Sequence, residues 1–261
     1  MVARDPVANV FVGARLEGTG VGARRGGGEL WGYCDDGQLA AVCYAGANLV
    51  PAGANADAAA QFAQRALRRP RRCSSLVGPA DAVDVMWEIL GPEWGPAREV
   101  RTPQPLMAID ALASGVPVDP GVRLVRPDEI ETLLPACIAM FTEEVGVSPV
   151  AVDGGALYRA RVTELVTTGR AFARIEAGRV LFKAEVGSAT RAACQVQGVW
   201  VQPELRGRGL GTAGTAAVVQ LALSDVAPVV SLYVNEFNTP ALAAYRRVGF
   251  RQVGVFTSVL F

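Results

Sequence analysis

The stretch Val199-Trp200-Val201-Gln202-Pro203-Glu204-Leu205-Arg206-Gly207-Arg208-Gly209-Leu210-Gly211-Thr212 constrains the fold of this chain more than any other. Its first residues alternate as a strand does. Gly207, Gly209 and Gly211 then punctuate a turn, and from Thr212 to Leu223 the residues are small, then apolar, without a proline. That run reads as a buried helix. A strand, a tight glycine turn and a helix in succession commit this region to an α/β or α+β sheet domain. Glycine lets the backbone approach a bulky anion at angles a Cβ forbids. The first turn of a helix adds free N–H donors and the positive end of the dipole. The turn therefore reads as an anion cradle built from the N–H groups of Arg206 to Thr212, with Arg206 and Arg208 adding charge. The plainer alternative is a strand-to-helix turn with solvated arginines.

Either reading must fit a chain of 261 residues, long enough for one large domain or two small ones. Residues 103–120 lie in a proline-rich stretch with Pro103, Pro105, Pro117 and Pro120, expected to be a linker. It would separate an N-terminal α/β domain, 1–102, from a C-terminal domain, 121–261. In the first part Asn9 to Leu16 alternates like a strand. Glu29–Tyr33 and Gln38–Cys43 flank the hairpin signal Asp35-Asp36-Gly37. Asp57–Arg69 is an alanine-rich helix stopped by Pro70, Cys73–Val77 a strand, and Pro79–Leu90 a helix with proline in its first turn. This order is compatible with a worn copy of the C-terminal fold. The glycine-rich run Gly18–Gly28 reads as a flexible loop, because no helix follows it.

The C-terminal part is more regular. It opens with a strand at Val122–Val125 and a helix carrying Ile130, Leu133, Leu134, Cys137, Ile138 and Phe141 on one face, which Pro135 should kink or split. A helix at Leu157–Thr168 ends at Gly169. A hairpin joins Ala171–Ile175 to Val180–Val186 across Glu176-Ala177-Gly178, and Ala193–Val201 leads into the glycine turn. Val229–Val234 is a strand, Pro240–Val248 a helix closed by Gly249, and Phe250–Phe261 one or two strands.

Composition excludes several functions. There is no histidine, so a histidine base, a histidine triad and a histidine-ligated metal are all ruled out. The formal net charge is zero, which argues against a nucleic-acid partner held by bulk charge. Cys34, Cys43, Cys73, Cys137 and Cys194 form no CxxC pair; no metal is expected, and free thiols in a reducing cytoplasm are the default. No apolar run approaches the ~18 residues of a membrane span, and Met1-Val2-Ala3-Arg4-Asp5-Pro6 lacks a signal-peptide layout.

A second motif lies downstream: Asn235-Glu236-Phe237-Asn238-Thr239-Pro240-Ala241-Leu242-Ala243-Ala244-Tyr245-Arg246-Arg247-Val248-Gly249-Phe250. With the R-x-x-G-x-G loop it resembles the GNAT superfamily of N-acetyltransferases, whose late motif is N-x-x-A-x-x-x-Y-x-x-x-G-F. The resemblance runs from Gly121 to the C-terminus, just over half the chain. It is similar to two-part bacterial members that carry an extra N-terminal domain.

The resemblance implies a mixed, mostly antiparallel sheet flanked by helices, with acetyl-CoA (coenzyme A) as co-substrate and no metal. It implies that Val199, Trp200 and Val201 line the pantetheine arm, with the backbones of Val199 and Val201 bonding it. The loop Arg206, Gly207, Arg208, Gly209, Leu210, Gly211 and Thr212 would hold the pyrophosphate. Asn235, Asn238 and Ala241 would bind the cofactor arm or shape its turn, and Tyr245 would protonate the departing thiolate. A phenol suits that role, being protonated at neutral pH. Tyr245 also reads as a helix tyrosine packed on the sheet, and Asn238 equally as a helix cap.

The reaction implied is acetyl transfer to a primary amine of a small molecule or a protein, by a monomer or homodimer without a membrane. Glu185 is the leading candidate base: Leu181, Lys183 and Glu185 share one face of their strand. Its alternative is an ion pair with Lys183 or an arginine. Gln195 and Gln197 can hold a water, and Glu143 and Glu144 can line the acceptor mouth. A competing reading is a sensor or regulatory module that binds acyl-CoA without turnover.

Overall fold

A computed structural model describes residues 4–19, 28–151 and 154–261. The expected loop from Gly18 to Gly28 falls mainly on 20–27, outside the described residues. In chain order the elements are α1 (Val10–Thr19), β1 (Glu29–Asp35), β2 (Gln38–Ala45), β3 (Asn48–Ala52), α2 (Ala56–Leu67), β4 (Ser75–Pro79), α3 (Ala80–Trp94), β5 (Glu99–Ile109) and β6 (Arg123–Leu124). They continue as α4 (Ile130–Val145), α5 (Ala156–Thr167), β7 (Ala171–Glu176), β8 (Arg179–Ala189), β9 (Cys194–Val201), α6 (Leu210–Asp225), β10 (Val230–Tyr233), α7 (Thr239–Val248) and β11 (Arg251–Leu260).

The chain divides into two compact units. The first holds residues 1–108, 233–239 and 252–261. Its strands run β1-β2-β3-β4-β11-β5; β1–β2, β2–β3 and β4–β11 are antiparallel and β3–β4 is parallel. Asp36 and Gly37, both at positive φ, close the expected β1–β2 hairpin. Asn55 caps α2 by accepting from the Ala58 N–H. Ala59, Phe62 and Ala63 of α2 and Val83, Met86 and Leu90 of α3 bury one apolar face with Leu76 and Val259.

Two expectations fail in this unit. Residues 10–19 are helical, not a strand: Val12 and Leu16, one turn apart, pack against Val42 and Tyr44. A short apolar run supports either structure until its packing partner is known. The linker expected over 103–120 is strand β5 as far as Ile109. Pro105 has no N–H to give, but its carbonyl still accepts from the Val234 N–H at 3.2 Å. Strand β11, from the far end of the chain, also belongs here, pairing with β4 from Phe256↔Pro79 to Leu260↔Ser75.

The second unit holds residues 109–232 and 240–251. Its strands run β10-β9-β8-β7-β6, antiparallel except for the pair β9 and β10. Ala177 and Gly178, at positive φ, make the two-residue turn between β7 and β8. Helix α4 is one continuous helix through Pro135, so the expected split does not occur. It packs Leu133, Ala136 and Cys137 against Val162, Leu165 and Val166 of α5 and Ala171 and Ala173 of β7. The mixed, mostly antiparallel sheet with flanking helices is as expected.

Candidate functional site

The site begins where β9 leaves β10. The two strands pair only at Val230↔Cys194 and Ser231↔Gln195. Beyond Gln195, β9 stays paired with β8 alone. The Gln202 N–H donates to the Leu181 carbonyl at 3.0 Å, which makes Phe182↔Val201 a non-hydrogen-bonded pair. The backbone N–H and C=O of Val201 therefore point away from β8, and the two-residue period of the strand sends those of Val199 the same way. The result is an exposed stretch of strand backbone of the kind an extended amide chain can pair with.

A bulge sets this divergence. The β8–β9 register shifts between Lys183 and Glu185, opposite Gly198, whose φ is +59°. A Cβ on Gly198 would stand 2.9 Å from Lys183 Nζ and 3.1 Å from Met140 Cε. Glycine thus lets β9 lie directly on a buried polar cluster. Lys183, 1% exposed, places Nζ 3.1 Å from Glu185 Oε2 and 3.8 Å from Cys137 Sγ. Gln197 Nε2 donates to Glu185 Oε1 at 2.9 Å, and the half-exposed Arg161 lies 3.7 Å from the same oxygen. Burial alone would raise Glu185 and lower Lys183. Their mutual attraction, with Gln197 and Arg161 acting on Glu185 and Cys137 on Lys183, reverses both shifts: Glu185 falls below its ordinary pKa and Lys183 rises above its own. The expected alternative for Glu185, an ion pair with Lys183, is what the structure holds.

After β9 a 3-10 turn, Pro203–Leu205, leads to the glycine loop. Gly209 caps α6 in the left-handed conformation at φ +85°, with no side-chain cap bond. The N–H groups from Gly207 to Thr212 donate to no acceptor among the described residues; the first that does is Ala213, to the Gly209 carbonyl. Consecutive free N–H groups at a helix start attract an anion. Arg206 departs from expectation. Its Nη2 bonds Glu143 Oε2 at 2.6 Å and its Nε the Val201 carbonyl at 3.0 Å. Its charge is thus spent within the protein, and the Val201 carbonyl is taken. The Trp200 indole donates to Glu143 Oε1 at 3.2 Å, so Glu143 braces the loop.

Tyr245 lies on α7, 8% exposed, its ring 5.9 Å from that of Phe250. Its hydroxyl has no hydrogen-bond partner among the described residues. Burial, helped by the charge of Glu144, raises its pKa and keeps the phenol protonated. Ala241 stands one helical turn before it. Asn235 and Asn238 fall in the first unit: the Asn235 carbonyl accepts from the Asn238 N–H at 2.9 Å, and its side-chain oxygen accepts from Gln104 Nε2 at 2.7 Å. Asn235 thus shapes the turn. Among the described residues no group of three His, Cys, Asp or Glu side chains could hold a metal. No described helix is long and apolar enough to cross a membrane. All five cysteines are free.

Residues 169–250 match the family model described as Acetyltransferase (GNAT) family. That part of the chain carries a GNAT acetyltransferase domain. Residues 28–133 match a domain of unknown function, DUF4081. A mycothiol acetyltransferase from Clavibacter sepedonicus is 47% identical over 55 residues, 21% of this chain and 18% of that protein. The chain thus matches under a fifth of the length of that curated relative. A GCN5-related N-acetyltransferase from Kribbella flavida superposes with TM-score 0.57 at 15% identity, covering 96% of this chain and 95% of the other. A GNAT-family acetyltransferase from Colwellia psychrerythraea gives 0.54 at 12%, covering 90% and 85%. These likenesses support the GNAT fold. The Lys183–Gly198 arrangement went unread in the sequence, although a lone lysine in an apolar strand was a signal for it.

Proposed function

We propose that this GNAT protein transfers an acetyl group from acetyl-CoA directly to a primary amine. The run of unpaired N–H groups from Gly207 to Thr212, opening off a strand edge that β10 leaves free, carries this reading. The donors suit a pyrophosphate, Arg208 adds charge, and the β9 backbone at Val199, with the Val201 N–H, suits the amides of a pantetheine arm. Acetyl-CoA supplies an activated thioester carbonyl. The Tyr245 hydroxyl, held protonated by burial, gives its proton to the departing sulfur. The similarity to a mycothiol acetyltransferase and the GNAT family match support acetyl transfer.

Glu185 takes a different role from the expected base. A carboxylate held by Lys183, Gln197 and Arg161 below its ordinary pKa is a poor proton acceptor. It serves better as a fixed negative charge that orients an ammonium. The alkaline rise of rate would then follow the pKa of the acceptor amine, and Glu185→Gln would leave it in place. Five free cysteines suit a reducing, cytoplasmic setting.

A second reading, an acyl-CoA sensor without turnover, draws on the same locked state of Glu185. Thiol release from acetyl-CoA in the presence of an amine panel separates the two. Turnover with any amine supports the enzyme; acetyl-CoA binding with no thiol release from any amine supports the sensor, and no acetyl-CoA binding overturns both.

A further inference from the structure

Between Ala58 and Ala80 the sequence has no acidic residue and five arginines: Arg65, Arg68, Arg69, Arg71 and Arg72. In a chain of zero net charge this is a segregated cluster. Cations near a helix C-terminus offset its dipole, which accounts for Arg65 in the last turn of α2 and for the arginines just after it. It does not account for Arg71 and Arg72, which lie beyond Pro70.

These residues border a cavity of about 510 Å³ within the first unit, a volume typical of small-molecule sites. Trp31, Leu49 and Trp94 form apolar wall, and Arg69, Arg71 and Arg72 line the same space. Its acid, Glu29, is neutralised by Arg69 at 2.7 Å. The Arg71 guanidinium sits 4.2 Å above the Phe261 ring, which orients it without cancelling its charge. Arg72 has no partner among the described residues. A second cavity, of about 500 Å³, meets the first at Arg69 and is lined by Arg65 and Arg68. Uncompensated guanidinium groups around a concave apolar wall focus positive potential into it, and guanidinium forks match carboxylate and phosphate oxygens.

We infer that the cavity between the end of α2 and β1 binds a small organic anion, its phosphate or carboxylate head on Arg71 and Arg72 and its apolar body against Trp31 and Trp94. Its lining shares no residue with the loop Gly207–Thr212, and the inference does not depend on the acetyl-transfer reading.

Calorimetric titration of the full chain tests it. AMP and benzoate serve as phosphate-headed and carboxylate-headed probes, with adenosine and benzyl alcohol as uncharged counterparts. The titrations use the Gly209→Glu variant, or the native protein saturated with coenzyme A if that variant does not fold, so that the glycine loop does not contribute. At least one anion is expected to bind with Kd below about 1 mM, its uncharged counterpart about tenfold weaker or more. Arg72→Glu should weaken the anion by about tenfold or more with an unchanged melting curve; Arg72→Gln replaces it if the reversal disturbs folding. Binding of AMP alone assigns a phosphate head and of benzoate alone a carboxylate head. Absence of binding by both anions, or binding that ignores the loss of Arg72 or of the probe's charge, overturns the proposal.

Discussion

Lys183, the chain's only lysine, holds its Nζ 3.1 Å from Glu185 Oε2 directly beneath the Gly198 bulge of β9. Two charges inside a sheet are retained at a desolvation cost that each other, Gln197, Arg161 and Cys137 offset. The pair is therefore sensitive to the loss of one member. Lys183→Met leaves Glu185 buried without its main counter-charge and should destabilise the protein by about 3–5 kcal/mol. Lys183→Met with Glu185→Leu should recover most of that loss. Urea denaturation of the single and double variants checks both.

Gly198→Ala places a methyl group 2.9 Å from Lys183 Nζ and keeps a residue with a Cβ at φ +59°. The strain should cost on the order of 1–2 kcal/mol of stability. Relief of that strain by flattening the bulge would bring β9 back towards β10 and close the free strand edge. Weaker acetyl-CoA binding at calorimetry, out of proportion to the loss of stability, is the expected outcome.

Gly209→Glu puts a side chain and a negative charge where left-handed backbone and free N–H groups meet. Acetyl-CoA affinity should fall by about a hundredfold or more, since both bulk and charge oppose a pyrophosphate there. Titration with acetyl-CoA checks this, and unchanged affinity would remove the loop from the cofactor site.

Tyr245→Phe keeps the ring against Phe250 and deletes the hydroxyl, which bonds nothing in the described protein. Stability should therefore change little. Under conditions where chemistry limits the rate, kcat should fall on the order of a hundredfold with the acetyl-CoA KM nearly constant. An unchanged kcat would assign the thiolate proton to another donor.

Glu129 provides a pH test outside the site. The Arg123 guanidinium, joined by the Arg126 N–H and side chain, holds its carboxyl down at about 2 against an ordinary 4.5. A depressed folded pKa contributes stability above the unfolded value that disappears as pH falls through the folded one. That contribution should fade between pH 4.5 and 2. Thermal melts over this window should show a shallower decline for Glu129→Gln than for the native protein.

The hairpins at Asp36-Gly37 and Ala177-Gly178, the stop of α2 before Pro70 and the start of α6 after the glycine loop were all legible in the sequence. Each rests on local backbone chemistry: positive φ, a missing N–H, or the free donors of a helix start. The helical form of Val10–Thr19 and the strand through Pro103 and Pro105 were not, because their packing partners, Tyr44 and Val234, are distant in sequence. Glu185 stood out as a carboxylate on a strand. Whether it was a free base or a bound charge depended on Arg161 and Gln197, which other elements bring to it.

By itself the sequence determined a strand, a glycine turn and a helix that can meet a pyrophosphate, followed by an asparagine and tyrosine motif, with no histidine to act on either. These are properties of nearest neighbours along the chain. Tertiary structure decided where β9 leaves β10, that Arg206 turns to Glu143, that Lys183 pairs with Glu185, and that the last strand completes the first unit's sheet. Those outcomes come from pairing and desolvation between residues far apart in sequence, and such energies exist only once the chain has folded.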